Sequence, residues 1–449
     1  MIPTVFDHHF DNQKFYQYVN GFDKESFCNF LIPKFGNEFY ESFIKHKNYE
    51  LPLIINIPWK DLIRDIDSTD NKFSYFIGIH WWMTFESDTN KFIYNNISIN
   101  EKILTYITQK KCKIVLYNCY EGWSESVWIC SANQIINRYP QLTLDDFVVV
   151  SNNCSKMKIL KSITVLSNQM TVQLPDILDS EKFFSIRRQA ILNSINLPYR
   201  FISLNRRPKS SRWAIMTLLF DDRPIGLLSF GIYTPILDQT NNDIKTIQEY
   251  ATIIQKKLHD ENSEEHISMM SFKFKYPKIY ELFESKQIIN HLPLLLPEKT
   301  DLRTNPFSDF HHDKYLNSYL HIVTETYFSN QQMDVIHLSE KIFKPIWFLQ
   351  PFVVFAPTGT LEVLKVAGYK TFDQWINESY DNILDDESRL IAAVSAAKTF
   401  YKQPKKQLNG ILQEMLPVLV HNYNTLLQNR NSLVDKFIIE LDLVLGDTV

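Results

Sequence analysis

Apolar and polar positions along the chain switch repeatedly between two patterns. Short apolar runs at 53–57, 73–79, 113–117 and 147–150 read as strands. Segments with helical spacing come between and after them, at 101–109, 126–138 and 181–194. In the last of these Ile186, Ala190, Ile191 and Ile195 fall nearly in register. The alternation restarts near 196, with strands predicted at 199–204, 227–233, 317–324 and 352–355. Helices are predicted at 212–220, 242–258, 340–349 and 360–367, and the charged run 259–266 reads as a solvated surface loop. From 385 onward the spacing is helical, at 385–401, 406–428 and 432–445, with a kink expected at Pro417. Strands alternating with helices predict an α/β protein whose parallel sheets are joined by helical crossovers. Two α/β domains are expected, at 1–195 and 196–400, followed by C-terminal helices at 401–449.

Composition narrows the chemistry. Among 449 residues there are 47 Lys and Arg against 51 Asp and Glu. No global basic field is present, so nucleic acid is not expected as a partner. Glycine is scarce, ten residues in all, and no three of them form the dinucleotide-binding fingerprint. Gly226 and Gly231 have the spacing of a phosphate-binding loop, but Ile and Tyr follow where Lys and Ser/Thr are needed. Any phosphate must therefore be met by side-chain cations or by a helix N-terminus. The five cysteines, Cys28, Cys112, Cys119, Cys130 and Cys154, form no metal-ligand spacing and read as free, mostly buried thiols of a reducing compartment. The opening residues lack a basic segment followed by an apolar one, so no signal peptide is expected. The longest apolar stretch, 342–357, is interrupted by Lys344, Pro345, Gln350 and Pro351, too often for a membrane span. A cytoplasmic location is the expectation.

Three stretches can carry chemistry. In the first, the strand at 199–204 runs into Asn205, Arg206, Arg207, Lys209 and Arg212 at the start of a helix. Ligands of open parallel sheets bind outside the carboxyl ends of strands, and cations there suit a diphosphate. The same loop also reads as a solvated basic turn. In the second, Ser339 stands in N-cap position before Glu340 and Lys341. A cation at the positive end of a helix dipole implies an anion beside it, whereas an ordinary capped helix with an exposed lysine is the plainer reading. Glu325 closes the preceding strand at the same edge. In the third, Glu121 follows a strand directly at a Gly turn. It is a candidate general base, alongside a structural role for Glu121 and with His80, Glu86 and Asp88 as other candidates. Trp81 and Trp82 suit either a sugar ring or a protein core. The pairs His8–His9 and His311–His312 have no third partner at ligand spacing, and no metal site is expected.

The run Glu325-Thr-Tyr-Phe, the segment His337-Leu-Ser-Glu-Lys-Ile-Phe-Lys-Pro-Ile, the strand Pro351-Phe-Val-Val-Phe-Ala-Pro and the following Ala367-Gly-Tyr-Lys-Thr-Phe resemble the donor half of glycosyltransferases of the GT-B fold. The likeness is to the fucosyltransferase-like proteins of bacteria and large viruses and spans about 199–390. It implies two Rossmann-like domains facing across a cleft, with a C-terminal helical segment. By this resemblance Arg212 and Lys341 bind the donor diphosphate, Glu340 contacts the ribose or sugar, and Asn205 belongs to the same site, with Arg206, Arg207 and Glu325 as additions. The implied reaction is an inverting, metal-independent transfer from a nucleotide-diphospho sugar, a GDP-sugar favoured, to a hydroxyl of a glycan or protein acceptor. The nucleotide sugar is a co-substrate and no resident cofactor is implied. Pro345 departs from the unbroken helix of many members, and the acceptor half is not matched. A glycosyltransferase-like binding or structural protein without catalysis is the alternative.

Overall fold

The computed structural model describes residues 4–6, 73–78, 99, 101–118, 123–155, 157–164, 177–205, 208–230, 247–294, 312–329, 335–432, 436, 439, 440 and 443. The expected strand at 53–57 and most positions of the helix expected at 432–445 lie outside these residues. So do Glu121, Arg206, Arg207, His80, Trp81, Trp82, Glu86, Asp88, His8, His9 and His311. The chain is an α/β protein and divides into two compact units. Among the described residues no helix is long and apolar enough to cross a membrane.

The first unit holds 1–171, 333–338 and 428–449. Its sheet has five parallel strands in sequential order: β1 (Thr4–Phe6), β2 (Phe73–Gly78), β3 (Cys112–Asn118), β4 (Phe147–Ser151) and β5 (Lys161–Thr164). Every residue of β4 is buried, which is why it reads as an unbroken apolar run rather than as an alternation. Helices α1 (Glu101–Thr108) and α2 (Glu125–Arg138) contribute to its core. On α2, Trp128, Ala132 and Ile135 join Ile114, Leu116, Phe147 and Val149, the i, i+4, i+7 spacing of one helix face. The segment 333–338 belongs here because Ile336 is tied to the loop after β4. Cys154 N–H donates to the Ile336 carbonyl at 2.8 Å, and Asn153 Oδ1 accepts from Ile336 N–H at 3.1 Å. Cys130 is exposed and Cys154 half-buried, where mostly buried thiols were expected.

The second unit holds 172–332 and 339–427. Its division from the first falls before α3 (Ile177–Leu192), earlier than the boundary expected at 195–196. The reason is Arg187, fully buried on α3, whose guanidinium donates to the carbonyls of Leu316 and Ser318 at 2.8 and 2.9 Å. That ties α3 to the second sheet. The four strands of this sheet, β6 (Tyr199–Asn205), β7 (Leu227–Phe230), β8 (Ser318–Thr324) and β9 (Phe352–Phe355), are parallel in the order β7-β6-β8-β9. All of β8 and β9 is buried. Helices α4 (Ser210–Leu219), α5 (Ile247–His259), α6 (Glu264–Lys275), α7 (Pro277–Ser285), α8 (His312–Leu316), α9 (Glu340–Trp347), α10 (Thr360–Val366), α11 (Asp386–Tyr401) and α12 (Lys405–Asn431) complete it, α12 continuing past 427 into the first unit. Helix α12 runs through Pro417 as one element.

The charged run 259–266 is helix at both ends, with only 260–263 between α5 and α6. Ser263 caps α6, accepting from His266 N–H, and Glu264 and Glu265 occupy the first turn, where the helix dipole favours acids. The same acids that read as solvated loop are a helix start. Behind them Phe272 faces the Trp213 ring, and Ser268 accepts the indole N–H at 3.1 Å.

Gly226 lies just before β7, where a Cβ would come within 2.3 Å of the Phe201 ring. Phe201 is itself fully buried and meets Tyr401 with ring centroids 4.7 Å apart, so the ring has no space to retreat. Gly226→Ala is therefore expected to destabilise the second unit by about 1–3 kcal/mol, the usual cost of overpacking, as read by urea unfolding. An unchanged midpoint would show that the ring can move.

Candidate functional site

The carboxyl ends of the second sheet, where an open α/β sheet takes its ligands, are Asn205, Phe230, Thr324 and Phe355. Beyond β8 the chain continues through Glu325, Thr326, Tyr327 and Phe328. Glu325 N–H donates to the Phe355 carbonyl at 3.0 Å, holding this turn against the end of β9. Arg389, from α11, donates to the Phe328 carbonyl at 2.7 Å and stacks on its ring at 4.3 Å. The turn is thus fixed at both ends.

Two ammonium groups converge on Thr326. Lys209, the N-cap residue of α4, donates to the Thr326 carbonyl at 2.9 Å and lies 5.6 Å from the Tyr327 ring centroid. Lys341, in the first turn of α9, reaches the Thr326 hydroxyl at 3.4 Å, the Ser339 hydroxyl at 3.0 Å and the Glu340 carboxylate at 3.2 Å. The cap predicted at Ser339 is present, its hydroxyl accepting from Lys341 N–H at 3.3 Å. The anion implied by a lysine at that helix end is here the protein's own Glu340 beside it. Lys341 and Glu340 keep 28 % and 19 % of their side chains exposed, so this edge is open to a ligand. Burial alone would raise the Glu340 carboxyl, but Lys341, Lys344 and the amide at its own helix start outweigh burial and hold it down to about 2. Glu340 is an anionic hydrogen-bond acceptor at any ordinary pH.

Glu325 lies behind the start of α9, against Ser339. It is 1 % exposed, and both carboxylate oxygens are engaged by Ser339: the backbone N–H reaches Oε1 at 3.2 Å and the hydroxyl donates to Oε2. Burial pushes this carboxyl above its usual range, with Lys341 and Ser339 pulling in the other direction. Asn205 is buried at the end of β6, donating to the Ser203 hydroxyl at 3.2 Å, and its Oδ1 has no hydrogen-bond partner among the described residues. Arg212 follows on the first turn of α4, 6 % exposed. The structure thus gathers Lys341, Glu340 and Glu325 with Lys209, and sets Asn205 and Arg212 on β6 and α4.

Lys209 was not selected by sequence among the cations of its loop. The signal available was its position, immediately before a helix that starts with no side-chain cap. The two other helix N-termini of this edge are not equivalent. That of α9 carries Ser339, whereas Asp381 closes that of α10, accepting from Leu361 N–H at 3.0 Å, which leaves no place there for an external anion. Among the described residues no group of His, Cys, Asp or Glu has the makings of a metal site. His312 packs against the Phe183 and Phe348 rings, with centroids 4.4 and 5.8 Å away. A groove of about 410 Å³ lined by Leu218, Ile391, Val394, Lys398 and Lys402 includes none of the edge residues, and both its lysines bind Asp222 at 2.9 Å.

The fold and this edge define an α/β protein with paired ammonium groups and a carboxylate at the carboxyl end of a parallel sheet. Comparison of the chain with protein-family models, with curated proteins and with solved structures gives no significant match.

Proposed function

We propose that the second unit binds the nucleoside diphosphate of a nucleotide sugar and that the chain transfers the sugar to an acceptor hydroxyl, as a glycosyltransferase of the GT-B type. The observation that carries this reading is the meeting of Lys209 and Lys341 at Thr326, beside the ionised Glu340, at the carboxyl edge of the sheet. In the transfer the acceptor oxygen bonds to the anomeric carbon, the bond from that carbon to the diphosphate oxygen breaks, and the hydroxyl proton passes to a base. Negative charge builds on the departing diphosphate. Lys209, Lys341 and Arg212, with the uncapped amides of α4, are the groups that answer it, the service a metal ion performs elsewhere. Glu340 accepts from hydroxyls of the ribose or sugar. Glu121, outside the described residues, keeps the role of base, and inversion with a GDP-sugar donor comes from the family resemblance.

The test is a calorimetric and thermal-shift panel of GDP, UDP, CDP, ADP and dTDP in the presence of EDTA. One nucleoside diphosphate is expected to bind, and at ~100 times its Kd to stabilise the fold by about 2.7 kcal/mol. Silence from all of them, or binding that requires a divalent ion, overturns the reading.

A further inference from the structure

A buried carboxylate is costly, and a helix cap does not need one. Ser339 caps α9 through its own hydroxyl, at Lys341 N–H. Yet Glu325, 1 % exposed, takes both donors of Ser339. A hydroxyl has one proton and two lone pairs. With the proton directed to Glu325, the lone pairs of Ser339 Oγ are left to Lys341, whose amide and ammonium lie 3.3 and 3.0 Å away. Lysine is a point charge on a flexible stem and does not hold a direction unaided. Here its ammonium is gripped on the buried side by a hydroxyl whose orientation is fixed by a carboxylate, while 28 % of the side chain stays open to solvent.

We infer that Glu325 is a positioning residue which, through the Ser339 hydroxyl, holds the Lys341 ammonium where the donor diphosphate meets it. The inference rests on the donor-site reading above. It gives Glu325 no contact with the ligand and separates its work from that of Glu340, whose carboxylate pairs with the same ammonium at 3.2 Å.

Trace acetylation of the intact protein, followed by peptide mass spectrometry, reports the state of the Lys341 amine with or without a ligand. Lys365, on α10, serves as the internal reference. In Glu325→Gln and in Ser339→Ala, Lys341 is expected to label severalfold faster relative to Lys365. A role confined to capping would move the unfolding midpoint and leave that ratio alone. An unchanged ratio in both variants, each still folded, overturns the inference. Ser339→Ala keeps Glu325 in place, so the question survives a Glu325 variant that fails to fold. In the second arm, Glu325→Gln is expected to weaken nucleoside diphosphate binding about tenfold, the loss typical of one charge-assisted contact. The double variant Glu325→Gln/Lys341→Ala is expected to bind no worse than Lys341→Ala, and fully additive losses would overturn the link. A wild-type protein that binds no nucleoside diphosphate overturns the donor reading, and the labelling ratio then still decides the positioning on its own.

Discussion

Between pH 7 and 4.5 the second unit is expected to lose roughly 2–3 kcal/mol of stability through one residue, His321, at ~1.4 kcal/mol per pH unit. His321 is the fourth residue of β8 and 5 % exposed, with its ring 5.1 Å from that of Tyr315. Burial, and then the charge of Lys344, push its pKa down from 6.5 to about 3. The fold therefore accepts the neutral ring, whereas the unfolded chain protonates it near its ordinary value. The stabilising contribution is complete above pH 6.5 and disappears as the pH falls toward 3, reaching about 5 kcal/mol over the whole span. His321→Phe keeps a ring against Tyr315 and removes the titration. Carboxylates elsewhere titrate in both proteins, so the quantity that decides is the difference between their urea-unfolding free energies, followed from pH 7 to pH 4.5. That difference is expected to move in favour of the variant by the amount given above. Parallel pH curves would mean that β8 opens to admit the proton.

His321 also shows why parts of this fold are legible in sequence. A strand buried on both faces must be apolar nearly throughout, and β8 and β9 were read for that reason, the single histidine notwithstanding. Local rules exposed Ser339 as an N-cap, because a cap and its helix are adjacent in sequence. The same rules mislead at 259–266, where a charged run looks like solvated loop. Ser263 followed by two acids is a helix start, and Glu265 is buried at 2 % with Lys257 reaching it at 3.5 Å. Long-range contacts were not legible at all. Nothing around Arg187 announces that its donors end on carbonyls of 316 and 318. Glu325 is recognisable as a residue of the edge but not as a partner of Ser339, because nothing in the sequence pairs two residues 14 positions apart. Lys209 meets Thr326 across 117 positions.

That last meeting carries the second large expected effect. Lys209→Ala and Lys341→Ala are each expected to weaken nucleoside diphosphate binding ten- to a hundredfold, since one charge-assisted contact is worth about 1.5–3 kcal/mol. The nucleoside without phosphate should bind both variants as it binds the wild type, because it offers neither ammonium an anion. The geometry further separates the lysines. Lys209 uses the Thr326 carbonyl and Lys341 its hydroxyl, so Thr326→Val removes an anchor from Lys341 alone. Its effect should be smaller than that of Lys341→Ala, because in Thr326→Val the Lys341 ammonium still has the Ser339 hydroxyl to hold it. Two cations answering one diphosphate are coupled, so the double variant Lys209→Ala/Lys341→Ala should lose less than the two single losses combined. Losses that reach the nucleoside as well as its diphosphate would show that the lysines support the turn at Thr326 rather than the anion. Equal affinity in either single variant would remove that lysine from the site, and in both would remove the edge itself as the place where the donor binds.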